Sequence, residues 1–549
     1  MRHTSAMPAV EGTPVWKTPG TRTRRRNRAA RILAVAAAAV LPLGTTPTSA
    51  WAGPAPGDAQ AASGSATDWP FAGRDLSDTR DAPNERSISP ATASTLEPRW
   101  TLTTGGDVTT TPTVVNGTMY VPDYGGNLWA VDTATGAVVW KNPISRYSGV
   151  AGDISRISPA YWDGRLVTGE GVQGLSSTAG AFMLGIDART GKPLWRTHVD
   201  SDPTAIITAS PVVADGVAYV GVSSKAEAIN KPTTFRASVL ALNAVTGRVL
   251  WKQYMVPQGY TGGAVWSSTP VVDQRRGLLY VTTGNNESVP PGVCKSATEK
   301  HCAPVSPDDH LDSVLALSLR TGQVVWALPT LASDTSTNFH HYGPDYDFGA
   351  GPNLYWTTRN GKRVQLLGAG QKSGLYWALD PATGTVVWKT EAGPGSLLGG
   401  IMWGTATDGR RVYVSIGNLD HVRYPIVSSS GQKSTTTGGF WAALDAATGT
   451  VLWQTADPQL AYDTCAMSVG NGVVYAGSMA AKGNTMYAID AATGAIRWSY
   501  DSGGAVASGA AVVNGTAYWG SGYHTVAAGL GYDASNNKLY AFSPTRSGG

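Results

Sequence analysis

Along most of this chain, apolar residues alternate with small or polar ones in short runs, and glycine turns separate the runs. The pattern is clearest where it repeats. WAVDTATGAVVW ends at Trp140, LGIDARTGKPLW at Trp195, LALNAVTGRVLW at Trp251 and LALSLRTGQVVW at Trp326. WALDPATGTVVW follows at Trp388, AALDAATGTVLW at Trp453 and YAIDAATGAIRW at Trp498. A period of two is that of a strand, and Ala/Arg-Thr-Gly is turn text. Each copy therefore predicts a hairpin whose second strand delivers a Trp. A second signature precedes the hairpins, as in TPTVVNGTMYV (111–121), SPVVADGVAYV (210–220) and STPVVDQRRGLLYV (268–281). It predicts two more strands about a turn. Four strands and a Trp free to wedge against the next repeat make a propeller blade.

Seven complete hairpins are present, and YAFS at 540–543 is the first half of an eighth. Its missing half is LEPRW, ending at Trp100. The expected fold is thus all-β, an eight-bladed propeller over 68–543, closed by pairing the last strand with the strand that ends at Trp100. Closure leaves no unprotected sheet edge. The spacing from one repeat Trp to the next is 40 residues at first, peaks at 75 between Trp251 and Trp326, and is 45 at the end. Extra length in the middle blades marks loops that a rigid scaffold could use for function.

The formal charge of +4 is local. Eight of the basic residues, with one acid, lie in the first 52 positions, and the remainder carries 34 basic and 37 acidic residues. A net charge of −3 there removes the main support for a nucleic-acid partner. The basic run TRTRRRNRAAR precedes the apolar ILAVAAAAVLPLG and the small-residue text TSAWAG. That order is the pattern of a signal peptide over 1–52, with cleavage after Ala52, and its arginines hint at a twin-arginine route. The apolar run is short for a membrane span, so the mature chain is expected to be secreted and to have none. Residues 53–67 read as a disordered tether and 544–549 as a short tail. In an exported protein, Cys294 and Cys302 are expected to form a local disulfide, with Cys465 buried and unpaired. A zinc site from Cys294, His301 and Cys302 would lack a fourth ligand nearby.

The stretch FHHYGPDYDFGAGPN (339–353) concentrates two histidines and two aspartates where the fifth blade begins, at one end of the expected central channel. Together with DWPFAGRDLSDTR (68–80), the Trp repeats and GAGQKSGLYWALD (368–380), it resembles the pyrroloquinoline-quinone (PQQ)-dependent alcohol dehydrogenases, in particular the polyvinyl-alcohol dehydrogenase branch. The resemblance spans 68–543. It implies an oxidoreductase that holds PQQ across the channel axis beside a calcium ion.

Residue by residue, the resemblance implies that Trp266 in GGAVWSSTP is the floor beneath the quinone. Glu227 in GVSSKAE and Asn285 in TTGNN match calcium ligands, oxygen donors of the kind that ion prefers. Asp347, between Tyr346 and Phe348, matches the catalytic base and could also touch the metal. Asp345 is its nearby rival. Lys372 in GAGQKSG matches the cation directed at the quinone oxygens. Arg156 in GDISRISPAYW and Thr208 in IITASPVV match contacts to the cofactor, and Trp403 corresponds to the later channel Trp. His340 and His341 match nothing catalytic and are expected at the channel rim. The proton of the substrate hydroxyl would pass to Asp347 as hydride leaves the same carbon.

Three departures bear on this reading. Thr109 stands where many members place a Glu, Met402 stands where some have an Asn, and the adjacent-cysteine disulfide near the quinone is absent. They put cofactor affinity in doubt more than the fold. There is no Cys-x-x-Cys-His for covalent haem, so a separate electron acceptor is expected. The leading expectation is oxidation of an alcohol, with secondary hydroxyls of a polymer as one candidate class. The alternative is a non-catalytic extracellular propeller that serves as a binding or assembly scaffold.

Overall fold

The structure, a computed structural model, describes residues 67–171, 179–226, 233–267, 269–293, 306–331, 333–337, 340–341, 343–524 and 534–545. The expected signal peptide, nearly all of the tether, most of the tail, Glu227, His301, Cys294 and Cys302 lie outside them. Cys465 is buried and free, as its apolar neighbours suggested. No helix among the described residues is long and apolar enough to cross a membrane.

Each repeat folds as the two-period text dictates. The first blade is a four-stranded antiparallel meander of Thr113–Val115, Thr118–Pro122, Asn127–Asp132 and Val138–Pro143. The same meander recurs over 160–200, 212–254, 271–329, 353–391, 406–456 and 468–500. Inner strands are buried along their length because both faces pack on neighbouring blades, whereas outer strands such as Val138–Pro143 are largely exposed. The eighth blade joins Ala511–Val513, Thr516–Gly520 and Lys538–Pro544 to Leu96–Thr103 from the other end of the chain. Trp100 lies opposite Ala541 and Leu102 opposite Leu539, which is the expected closure.

The repeat Trp does two jobs. Its indole N–H reaches a turn carbonyl of the next blade: Trp100 to Thr133 at 3.0 Å, Trp140 to Ala188 at 2.9 Å, Trp251 to Leu319 at 2.9 Å. Trp498 crosses the closure and donates to Leu96 at 2.9 Å. Each such bond contributes about 1 kcal/mol beyond the ring's burial. Trp388 differs. Its Nε1 is buried with no hydrogen-bond partner, and the matching carbonyl, Ala446, accepts from the Tyr355 hydroxyl at 3.2 Å.

Except at the closure, where Trp498 meets a blade with no such turn, the ring of each repeat Trp also lies against the glycine of the next blade's Thr-Gly turn. Gly384 has φ +72°, and a Cβ there would come within 2.5 Å of the Trp326 ring. Both the backbone conformation and the stacked ring therefore demand glycine. Gly384→Ala is expected to destabilise the protein by about 2 kcal/mol or more, from left-handed strain and a displaced indole. Urea denaturation would measure it, and an unchanged midpoint would count against blade-to-blade docking through this contact.

The segment at 68–90 begins with the family-like text of 68–80, and the fold gives it a definite task. It passes once around the inside of the ring. Trp69 exchanges two backbone hydrogen bonds with Val114 in the first blade, and Pro70 accepts from Tyr161 in the second. Phe71 joins the core cluster that contains Val212 of the third. Leu76, Ser77 and Thr79 accept from Val272, Leu354 and Thr407 in the fourth, fifth and sixth. Arg80 and Ala82 both bond to Val469 in the seventh, and the Glu85 carboxylate accepts from Gly515 in the eighth at 2.9 Å. This belt ties every blade to one strand of chain.

Candidate active site

The fifth blade's approach loop sets the site. Asp334 accepts the backbone N–H groups of Asp345 at 3.2 Å and Tyr346 at 2.8 Å, which fixes the loop. Asp345 then adopts φ +56°, so the loop is irregular, as two aspartates of different roles would require. Phe348 is buried and anchors the next residue in the core, with its N–H on the Thr283 carbonyl at 3.3 Å. Between these anchors the Asp347 side chain is held at 4% exposure.

Its partners come from the entry to the fourth blade and from the fifth. The Trp266 indole N–H donates to Asp347 Oδ2 at 2.8 Å. The Lys372 ammonium lies 2.5 Å from Asp347 Oδ1 and 2.9 Å from Asp345 Oδ1, and its backbone N–H donates to the Asp347 carbonyl at 3.0 Å. The same ammonium sits 5.4 Å from the centre of the Trp266 ring, a cation–π distance. Asp345, the rival of Asp347, joins the same group: the left-handed kink presents it to Lys372, and the lysine bridges both acids.

Asn285 is buried one residue beyond Gly284, against which Asp347 packs. A Cβ on Gly284 would lie 2.7 Å from Asp347 Oδ2, so glycine leaves that carboxylate its space. The segment carrying Asn285 thus adjoins Asp347 through Gly284, although Asn285 and Asp347 lie 62 residues apart in the sequence. The Asn285 amide N–H donates to the Asn286 carbonyl at 2.8 Å. Among the described residues no three acids, histidines or cysteines converge as a metal set. A buried carboxylate and a buried asparagine on adjoining segments carry the oxygen-donor chemistry that calcium takes.

Trp266 meets Trp403 edge to face at 5.4 Å, and Gly349 lies against the Trp266 ring and accepts the Trp403 backbone N–H at 2.8 Å. Trp403 has φ +63°, a conformation that costs about 1–3 kcal/mol in a non-glycine residue. The Arg156 guanidinium lies 5.2 Å from the Trp403 ring. Arg156, Thr208, Thr109 and Trp403 all line one axial cavity, and the Thr208 hydroxyl and the Trp403 indole N–H are buried without partners. An aromatic face, a guanidinium and unsatisfied donors suit a flat polycarboxylate. Met402, at the position where some relatives have an Asn, is buried against Gly349 and Gly399. His340 and His341 form a short strand paired with Ser336–Thr337.

Two acids were not singled out from the sequence, Asp334 and Asp312. Asp312 is fully buried with neither oxygen hydrogen-bonded. Burial, then repulsion from Asp334, Asp347 and Asp345, pushes its carboxyl well above the usual range, and Lys372 offsets part of this. A signal existed. DSVLALS matches ASVLALN one blade earlier, so an acid stands where the previous blade has Ala237.

The family model of the glucose/ethanol/alcohol dehydrogenase β-propeller domain matches residues 69–395. The chain belongs to this family of PQQ-dependent dehydrogenase propellers. Among members of the PQQ dehydrogenase family, it is 32% identical over 458 residues to a polyvinylalcohol dehydrogenase of Sphingopyxis sp. (strain 113P3), covering 74% of this chain and 63% of that one. It is 25% identical over 412 residues to the quinohemoprotein alcohol dehydrogenase ADH-IIG of Pseudomonas putida, covering 69% and 51%. The chain thus spans less than two thirds of the length of these relatives. The fold matches a solved quinohemoprotein alcohol dehydrogenase of Pseudomonas putida HK5 with a TM-score of 0.68 at 19% identity, over 88% of this chain and 81% of that one. Residues 371–546 also match the model described as outer membrane protein assembly factor BamB.

Proposed function

We propose that this PQQ-family propeller is an exported dehydrogenase that oxidises an alcohol, with Asp347 as the base. The observation that carries the reading is the buried Asp347 carboxylate fixed between the Trp266 indole and the Lys372 ammonium. Neither a scaffold nor a plain turn needs that arrangement. Lys372 and Trp266 hold the carboxylate oriented, so that it can accept a hydroxyl proton from a substrate seated over it. Arg156, Thr208, Trp266 and Trp403 would hold PQQ, and Glu227, Asn285 and Asp347 would hold calcium. When bound, the quinone supplies a two-electron hydride acceptor and the ion a Lewis acid. The chain's own residues exclude water, orient the hydroxyl and take its proton.

The name of the Sphingopyxis relative, a polyvinylalcohol dehydrogenase, favours secondary hydroxyls on a polymer as the substrate class. Electrons would leave to a separate acceptor. The test is alcohol oxidation by the purified chain with PQQ, calcium and an artificial acceptor, comparing small secondary alcohols with polyvinyl alcohol. No turnover on either class, with quinone demonstrably bound, would return the chain to the scaffold reading. That second reading draws on the match of residues 371–546 to an assembly factor.

Glu227→Gln is expected to weaken calcium-dependent retention of the quinone by about tenfold or more, with little change in melting temperature. The substitution keeps size and removes a charged oxygen. Calorimetric titration of quinone at fixed calcium reads this directly, and an unaltered affinity would remove Glu227 from the ligand set.

A further inference from the structure

A second cavity, of about 300 Å³, opens to solvent between the second and third blades. That volume is at the lower end for sites that take small organic ligands. One wall is the turn at 200–202, which follows the second blade's outermost strand, Pro193–Asp200. The other is 234–236, which leads into the third blade's strand Ser238–Asn243, with Tyr254 at the end of Val249–Tyr254. In a meander, the loops between blades and the loops from second to third strand open on one face. Trp266 and Asp347 lie in loops of the first kind and Asn285 in one of the second. The cavity is built from both kinds, so it shares the face of the candidate active site. The backbone path between them is short. Gly262 donates to the Phe235 carbonyl at 3.1 Å, and Gly263 donates to the Asn285 carbonyl at 2.7 Å. Trp266 follows three residues later.

The chemistry of the walls narrows the ligand. Asp202 is fixed in place: Oδ1 accepts the Thr204 backbone N–H at 2.8 Å, and Oδ2 accepts the Thr234 hydroxyl at 2.7 Å. Asp200 pairs with Lys252 at 2.8 Å. Arg236 donates through Nε and Nη2 to the Val256 carbonyl, at 3.0 and 2.7 Å. Its guanidinium carbon lies 4.2 Å from the centre of the Tyr254 ring, so the group is held from two sides. No hydrogen bond among the described residues engages its Nη1. Two acids stand against two bases, and the walls carry no net charge to select an ion. They offer fixed acceptors and fixed donors side by side. Hydroxyl groups, which donate and accept at once, satisfy both. Tyr254 is 39% exposed and adds ring surface for the carbons between such hydroxyls.

We propose that this cavity is an anchoring subsite for a hydroxyl-bearing polymer of the polyvinyl alcohol type, bound at Asp202, Arg236 and Tyr254 while another segment of the same polymer reaches Asp347. The proposal rests on the alcohol-oxidising reading for its substrate class. Attachment at a second point on one face raises the local concentration of hydroxyls at the base. A small alcohol, too short to reach both points, gains nothing from it.

The test is native electrophoresis of the full chain, without quinone, through gels that contain increasing polyvinyl alcohol. The expected result is a saturable retardation that yields a dissociation constant. Affinity should fall about fivefold or more in Arg236→Met and in Tyr254→Ala, the scale of one lost hydrogen bond or contact of about 1 kcal/mol. Ser201→Trp, which fills the cavity from an exposed position, should abolish the retardation. It carries the test with Tyr254→Ala if Arg236→Met does not fold. Arg275→Gln, on the turn between the fourth blade's inner strands and so on the opposite face, should bind as the native chain does. No retardation of the native chain, undiminished affinity in Ser201→Trp and Tyr254→Ala, or an equal loss in Arg275→Gln would overturn the proposal. The readout needs no turnover. A chain that binds polymer here but oxidises no alcohol keeps the subsite and loses the dehydrogenase reading. One that oxidises the polymer while these variants bind it undiminished does the reverse.

Discussion

Asp347→Asn is expected to lower quinone-dependent alcohol oxidation by roughly 100-fold or more, the scale of a positioned general base. The amide is nearly isosteric, and its oxygen can still accept the Trp266 N–H that now holds Oδ2 at 2.8 Å. Folding and part of the quinone binding should therefore survive. Asp345→Asn should lower activity less, because that acid touches Lys372 and not the Trp266 indole. Its effect should still exceed that of a loop residue, since it restrains the ammonium that orients Asp347. The measurement is turnover with an artificial acceptor beside quantified bound quinone. Full activity in Asp347→Asn would require another base, and equal losses in the two variants would mean that the acids act as one unit around Lys372.

Lys372→Met should be the most damaging single substitution to stability in the site. It leaves two buried carboxylates without the cation that both contact, and breaking a buried pair costs about 3–5 kcal/mol. Lys372→Arg should recover most of the loss. Equilibrium denaturation in urea provides the check, and a Lys372→Met variant as stable as the native chain would refute the bridging role.

How much of this was legible beforehand follows from the physics of each feature. The blades were readable because strand alternation, the Thr-Gly turn and the docking Trp are local and recur, and the half-repeat at 540–543 announced its partner at Trp100. Asn285, Asp347, Lys372, Trp266 and Trp403 lie in irregular text that regular strands would not need, so they stood out. The orientation of Asp345 was not readable. It depends on a left-handed kink held by Asp334, eleven residues upstream, and nothing local in PDYDFG encodes that hold. Asp312 was readable only by aligning one blade with another. The belt stayed hidden for a different reason: its partners run from Val114 to Gly515, each contributing only one or two contacts.

The belt and the closing strand together set a timetable for folding. Leu96–Thr103 can find its ladder only when Lys538–Pro544 exists, more than 400 residues later in synthesis. Until then an eight-residue strand with its backbone unpaired waits beside half-built blades, and long-range closures of this kind are slow. The belt meets the blades in the order in which they are made, first to eighth, so each new inner strand can be captured on arrival. Early blades would thus be held in register by a template of a few extended residues, and only the final seam would depend on the chain's far end. Ring assembly becomes a sequential process with one late, rate-setting step, and refolding from denaturant should show that step as a single slow phase that removal of the last strand abolishes.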